Sequence, residues 1–306
     1  MEDDQQRAEQ LAQQAYDLTA NKDNQDATKT FFVRRSTTFG LEQRGLTDWS
    51  IREYKRLVAS DERQDWRIDY YRGKATEAFA ELLHDRQRHE EAADVLKALL
   101  GADDADDDLP QGSDRDQSSK MARMYYFRSE HFRKAGDREN QIKYLKRAFG
   151  ADSSDADVLI AMHRLPRADS EWKRLTNQRI QVAVSNFERD LTRMRGTQAS
   201  NRFQAALTLN QIAWLVGNTG SAHTEAVRQK AVEQSRRSIA LRPRAAGYLD
   251  TLGRTYFSIG DFDNAIKYQR LAVKLEPFSQ QIVRQLEEFE NSLASSKQST
   301  TGEIEK

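Results

Sequence analysis

Apolar residues recur along most of this chain at steps of three and four, the period that places them on one face of a helix. The pattern is sharpest over residues 246–277, where Leu249, Leu252, Gly253, Tyr256 and Phe257 hold helical spacing. Gly260-Asp261 then interrupts it: glycine accepts the left-handed position after a helix, and aspartate caps the next one. A second helix follows from Ala265 and stops at Pro277, which forces the residue before it out of the helical region. The unit is helix, short turn, helix.

The unit recurs. Pro243 and Pro277 lie 34 residues apart, and the segments ending at them read AVEQSRRSIALRP and AIKYQRLAVKLEP. Small residues sit seven apart in each, Ala231 with Ser238 and Ala265 with Ala272, so another helix can approach closely on that face. The upstream copy starts near Arg202, with Leu209, Ile212, Ala213 and Val216 on its first helix, and its turn GNTGSAHTE is about six residues longer. A third copy is GDRENQIKYLKRAFGAD at 136–152. It shares seven of seventeen positions with 260–276, and Tyr125, Ser129 and Phe132 fall on its first helix. Phe79, Ala80, Leu83, Ala92, Leu96 and Leu99 fit a copy over 73–102. Gly45, Ser50, Tyr54 and Leu57 fit a degenerate one over 31–64.

These residues resemble the tetratricopeptide repeat family, in its bacterial type. Its signature of an apolar or aromatic residue, Leu-Gly, Tyr, Ala, an aromatic, a small residue and Pro is met by Leu249, Leu252-Gly253, Tyr256, Gly260, Phe262, Ala265, Ala272 and Pro277. The departures are Leu249 for the usual tryptophan and Gln269 where an aromatic is expected. The resemblance implies an all-α solenoid of antiparallel helix pairs whose first helices line a concave groove. It places Gly247, Asp250, Arg254 and Phe257 on that groove in the last repeat, and Asn210 and Trp214 in the copy before it. Arg123, Tyr126, Glu130 and Arg133 fall there in the middle copy, and Lys74, Glu77, Glu81 and His84 in the N-terminal one. A chaperone-tail clamp of this family pairs Lys with Asn at these places. Here they carry Asp250/Arg254, Tyr126/Glu130 and Glu77/Glu81, which argues against chaperone C-termini as ligands.

Between the repeats, residues 154–166 read as a short buried helix with Ser154 as cap and Pro166 as stop. Residues 170–195 read as a long helix with Trp172, Leu175, Ala183, Phe187, Leu191 and Met194 in one stripe, a spacer between two groups of repeats. Residues 3–19 read as an amphipathic helix shielding the first repeat through Ala8, Leu11, Ala15 and Leu18. Residues 279–295 read as a cap with Ile282, Leu286, Phe289 and Leu293 inward and Arg284, Glu287 and Glu288 toward water. The expected organisation is a degenerate helical region at 1–100, an acidic linker at 101–119, a repeat plus short helix at 120–166 and a spacer at 167–200. Two repeats at 201–279, a capping helix at 280–296 and a disordered tail at 297–306 complete it.

Composition narrows the chemistry. The hydrophobic share is 38% and the charged share 31%, too polar for one thick core and suited to an elongated array. With four prolines and fourteen glycines in 306 residues, helix breakers are scarce. No cysteine is present, which removes disulfides, thiolate metal sites and cysteine nucleophiles. No apolar run is long enough to span a bilayer, and the acidic start lacks the apolar stretch of a leader peptide, so a cytoplasmic setting is expected. The 48 basic and 48 acidic residues cancel, yet residues 1–120 hold 18 basic and 27 acidic, and 121–306 hold 30 and 21. Opposed halves favour charged protein partners or a second copy of the chain over nucleic acid.

Catalytic patterns are missing from the sequence. There is no G-x-G, no phosphate loop, no G-x-S-x-G and no HExxH. None of His84, His89, His131, His163 and His223 has a partner four residues away, and His84 and His89, five apart, do not share a helical face. Counted from Asp104, the Asp103–Asp116 tract puts Leu109 and Arg115 where a calcium loop needs glycine and glutamate, so it reads as a solvated linker. GNTGS at 217–221 reads as a helix–helix loop rather than an anion site.

The expected function is a non-catalytic protein–protein scaffold, without cofactor or metal, that holds a peptide or helix with acidic and apolar side chains in its groove. The candidate lining is Arg123, Tyr126, Glu130, Arg133, Asn210, Trp214, Asp250, Arg254 and Phe257. On this reading Arg254→Glu removes a partner and leaves the fold native. Two alternatives stand beside it: RNA or single-stranded DNA on the basic, aromatic-rich stretch 123–147, and a docking arm of a larger enzyme.

Overall fold

A computed structural model of the chain describes residues 2–19, 27–59, 66–101, 114–194 and 199–304. Fourteen α-helices fall among them: α1 (Glu2–Thr19), α2 (Ala27–Glu42), α3 (Thr47–Val58), α4 (Trp66–Asp85), α5 (His89–Leu100), α6 (Arg115–Ala135), α7 (Arg138–Ala151), α8 (Ala156–His163), α9 (Ser170–Arg193), α10 (Ala199–Asn218), α11 (Glu225–Leu241), α12 (Ala246–Ser258), α13 (Phe262–Leu275) and α14 (Gln280–Ile304). No strand occurs among the described residues. The architecture is an all-α, solenoid-like helical repeat of antiparallel pairs. The chain divides into two compact units, Met1–Gly136 and Asp137–Lys306. The boundary falls between α6 and α7, the two helices paired in the sequence as the middle repeat.

Aspartates start many of these helices. Asp114, Asp137, Asp155, Asp169 and Asp261 each accept a hydrogen bond from a backbone N–H in the first turn of the helix that follows. Such a cap contributes about 1 kcal/mol, and its charge complements the positive helix end. The Gly-Asp-x-x-Asn identity between 136–140 and 260–264 has a local cause. Asp137 and Asp261 each take the backbone N–H of the asparagine three residues on, at 3.1 and 3.2 Å, and also its side-chain amide, at 2.7 Å in both.

Five details of the sequence reading are corrected. The cap of α8 is Asp155, not Ser154; the Asp155 carboxylate binds the N–H groups of Asp157 and Val158, while the Ser154 hydroxyl donates to Asp152. Helix α6 begins at Arg115, inside the stretch read as linker, because Asp114 caps it and Asp116 pairs with Lys120 one turn on. Helix α14 continues to Ile304 past the expected disordered tail, as no proline or glycine interrupts it before Gly302. Leu175 of α9 is exposed, and the buried stripe is Thr176, Ile180, Ala183 and Phe187. Trp172 fixes that rotation by donating its indole N–H to the carbonyl of Met162 at 2.9 Å. Finally, α1 turns the small Ala12 inward and leaves Leu11 and Leu18 in solvent, with Glu9 reaching toward Arg52 of α3. Most of the Asp103–Asp116 tract lies outside the described residues.

In the first unit the core runs through Tyr54, Phe79, Leu83, Leu96 and Phe127, with Tyr54 stacked on Phe79 across α3 and α4 at 5.7 Å. Burying each such side chain contributes about 1.5–3 kcal/mol. In the second unit Leu159, Ile180, Ala183, Ile212, Leu215 and Ala231 make one cluster. The long helix α9 is therefore part of a core and not a bare spacer. A second cluster joins Val232, Leu252, Tyr256, Ala265, Ile266 and Phe289. Gly253 permits it: a Cβ there would lie 2.7 Å from Gln269 Oε1 and 3.1 Å from the carbonyl of Ala265.

Candidate functional site

The groove positions of the two units are covered to different extents. In the first unit a cleft of about 490 Å³ opens between α4 and α6. Ala78 and Leu96 supply apolar floor, and Arg35, Lys74, Glu77, Glu81, Asp116, Lys120 and Arg123 line it. The Lys74 ammonium donates to Glu77 at 2.9 Å, and Lys120 lies 3.4 Å from the same carboxylate while pairing with Asp116. Hydrogen bonding to Lys120 holds the Asp116 carboxyl below its usual range. Burial pulls the Lys120 ammonium down, but Asp116 and Glu77 together carry it above its ordinary value. Arg123 makes a two-pronged pair with Glu81, at 2.9 and 2.8 Å.

Tyr126 extends this wall. The Arg123 guanidinium lies 5.0 Å from its ring centre, and the His84 ring lies 5.4 Å away on the other helix. Thus Lys74, Glu77, Glu81, Arg123 and Tyr126 come together as the repeat register implies. Glu130 and Arg133 do not open onto the cleft. Glu130 is buried and accepts from Arg133 at 2.9 Å on its own helix.

His84 and His89 do meet, against the helical-face argument. The turn at 86–88 reverses the chain between α4 and α5 and brings their Nδ1 atoms to 2.9 Å. Helical periodicity ends at that turn, so the spacing rule did not apply across it. Among the described residues no group of three or more acidic or histidine side chains is placed to hold a metal ion.

In the second unit the corresponding positions are closed. Helix α14 starts 34 residues after α12, so it occupies the place of the next repeat's first helix. Asp250 and Arg254 point into the seam between them and are only 4% and 5% exposed. Asp250 Oδ1 accepts from the amides of Gln269 at 2.6 Å and Gln285 at 2.8 Å. Arg254 donates to Gln285 Oε1 at 2.9 Å and forks onto both carboxylate oxygens of Glu288, at 2.7 and 2.6 Å. Phe257 stacks on Phe289 of α14 at 4.5 Å. Burial pushes the Asp250 carboxyl up to about 6, against the opposing pull of Gln269 and Arg254. Burial likewise raises Glu288, but the Arg254 bond outweighs it and holds the carboxyl low.

The assignment of Asp250, Arg254 and Phe257 to an open groove is therefore corrected: α14 covers them. Glu288, placed toward water in the sequence, is exposed there and reaches Arg254 from the rim of the seam. Gln285 and Gln269 were missed as members of the network. The signal was present in the 34-residue step from Arg254 to Glu288 and in the glutamine at an aromatic position. Trp214, on α10, donates its indole N–H to Asp157 of α8 at 2.8 Å and packs beside the α9 cluster. Asn210, one turn earlier, is partly buried.

The basic stretch 123–147 is less available than its charge suggests. Arg123 pairs with Glu81, Arg128 with Asp94 at 2.5 Å, and Arg133 with Glu130, while Tyr125 and Phe127 are buried. The 217–221 segment ends α10 and forms a single 3-10 turn at Gly220–Ala222, with Thr219 fully buried. No helix among the described residues is long and apolar enough to cross a membrane.

Fold and site together define a TPR-like helical-repeat protein. The Tetratricopeptide repeat family model matches residues 246–279, the segment of α12 and α13. No curated protein matches the sequence. Among solved structures the chain is similar to the APC/C hetero-tetramer Cut9–Hcn1, at 14% identity and a TM-score of 0.40, over 91% of this chain and 46% of that one. It therefore spans about half the length of that protein's chain. It is similar also to YrrB, a TPR protein with an unusual peptide-binding site, at 15% identity and TM-score 0.26, over 69% of this chain and 89% of that one. Yeast Tom70 is similar at 12% identity and TM-score 0.29, over 91% and 66%. These are likenesses of fold alone.

Proposed function

We propose that the chain is a non-catalytic scaffold that binds a protein segment in the cleft between α4 and α6. The observation that carries this reading is the cleft itself: a depression of about 490 Å³ with a small apolar floor and four cationic side chains, Arg35, Lys74, Lys120 and Arg123, on its walls. Its volume falls within the range of about 300–1,000 Å³ typical of binding sites. Three of the four cations already face a carboxylate of the same unit. An incoming acidic side chain would exchange one carboxylate for another at a preformed position, which favours specificity over raw affinity. The occupant is then an extended or helical segment with acidic and apolar residues. This retains the partner class expected from the sequence and confines its site to the first unit.

The test is a peptide array of acidic–apolar sequences probed with the full chain, followed by fluorescence anisotropy on the best binders. Reversing Arg123 and Lys120 to glutamate is expected to weaken them about tenfold or more while helicity is kept. Unchanged affinity in that variant would remove the cleft as the site. Retention of poly-U or heparin, steeply weakened by salt and lost in the same variant, would favour nucleic acid instead.

A further inference from the structure

We propose that the chain associates head to tail with copies of itself, helix α1 of one chain seating on the outer face of α13 of the next. Two surfaces lead to this. The first is the outward stripe of α1, where Leu11 and Leu18 lie two helical turns apart and are 58% and 78% exposed. Both stay largely in solvent, although the adjacent Ala12 is buried. The helix carries five acidic residues and a single arginine.

The second surface is the stripe of Leu271, Leu275 and Phe278 along and just beyond α13, which are 42%, 44% and 43% exposed. Exposed Lys274 lies in the same stripe, and Leu241 repeats the exposure of Leu275 one 34-residue step earlier. An acidic helix with two leucines faces, in a second copy, an apolar stripe set with a cation. Isolated exposed leucines need no explanation, but two complementary stripes on the two units do.

The charge of the whole chain points the same way. The first unit holds 22 basic and 28 acidic residues, net −6, and the second holds 26 and 20, net +6. A pair of identical units would repel, whereas unlike units attract. The contact joins two different surfaces, so copies either add head to tail into a chain or ring or close reciprocally as a two-fold dimer.

Sedimentation of the full chain across a wide concentration range gives the test. The weight-average mass is expected to rise with concentration above that of the monomer and to fall back toward it at high salt. Two variants separate the surfaces, Leu11→Ser with Leu18→Ser, and Leu271→Ser with Leu275→Ser. Each alone should stay monomeric with unchanged helicity. Mixed, each supplies the surface that the other lacks, and a one-to-one complex should form. Lys274→Glu should weaken association on its own. A wild-type chain that stays monomeric at every concentration, or variants that associate as the wild type does, overturns the proposal. So does a mixture that stays monomeric when the wild type does not. The cleft variant at Arg123 and Lys120 leaves both stripes intact, so failure of the peptide site and failure of this contact are read separately.

Discussion

Groove-side arginines of the two units sit in different surroundings. Arg123 on α6 and Arg254 on α12 each make a two-pronged pair with a glutamate. Arg123 does so at the wall of a cleft with 19% of its side chain exposed, while Arg254 does so from a buried seam with only 6% exposed; the glutamates Glu81 and Glu288 reach solvent alike, at 50% and 47%. The difference lies in the neighbour. The facing helices α4 and α6 leave room between them, whereas α14 lies on α12 and fills the space. Whether groove-side positions of paired-helix repeats form a binding wall or a core thus depends on how the following helix seats.

The contrast can be broken most severely at Arg254. Arg254→Glu places a third carboxylate beside Asp250 and Glu288 and should cost about 3–5 kcal/mol, read as a lower midpoint in urea for the second unit. The native circular dichroism expected for that variant from the sequence should not be seen. Arg123→Ala, by contrast, breaks a partly solvated pair and should change stability by less than about 1 kcal/mol.

Next in size is Gly253→Ala, whose methyl would press on Gln269 Oε1 and the Ala265 carbonyl and should cost about 1–3 kcal/mol by the same measurement. A change within about 0.3 kcal/mol would show that α13 can move away from α12. The polar seam itself is tested by a double-mutant cycle of Asp250→Ala with Gln269→Leu. The two should couple by about 0.5–3 kcal/mol, since each alone strands a buried partner of the other.

A further effect is one of pH. His223 is held neutral, its ring driven down to about 4 by burial and by the nearby His163 and Arg228. Thr219 gives its hydroxyl proton to the Leu215 carbonyl at 2.6 Å, so the His223 Nε2 at 3.0 Å must be the donor to that hydroxyl. The folded pKa lies below the unfolded one, so unfolding takes up a proton. The stabilisation is complete above about pH 6.5 and is lost as pH falls toward 4. His223→Gln should flatten that part of the stability profile. Asp250 runs in the opposite sense: its raised carboxyl makes the folded chain the better proton binder between about 3.8 and 6. The Asp250→Ala profile should therefore fall more steeply with acid than that of the wild type.

Much of the fold was legible because helix and turn are local. Apolar spacing, the Gly-Asp starts and the prolines at 243 and 277 marked helices from their own neighbours alone. The all-α class and the pairing of α12 with α13 followed from residues within a few turns of one another. The groove was legible only in part. Lys74, Glu77, Glu81, Arg123 and Tyr126 converge as the repeat register implies, but register says which side of a helix a residue occupies, not what lies opposite.

What lies opposite was decided in three dimensions. That Leu11 faces water while Ala12 is buried depends on a rotation of α1 of about one residue, which an amphipathic pattern with small residues on both flanks leaves open. That Arg254 is sealed depends on α14 seating one full repeat beyond α12, and that His84 touches His89 depends on a turn where helical periodicity ends. Local hydrogen bonds and propensities set the helices by themselves. The burial of each face is a competition among all helices for the same apolar and polar partners, and its outcome exists only once they are packed.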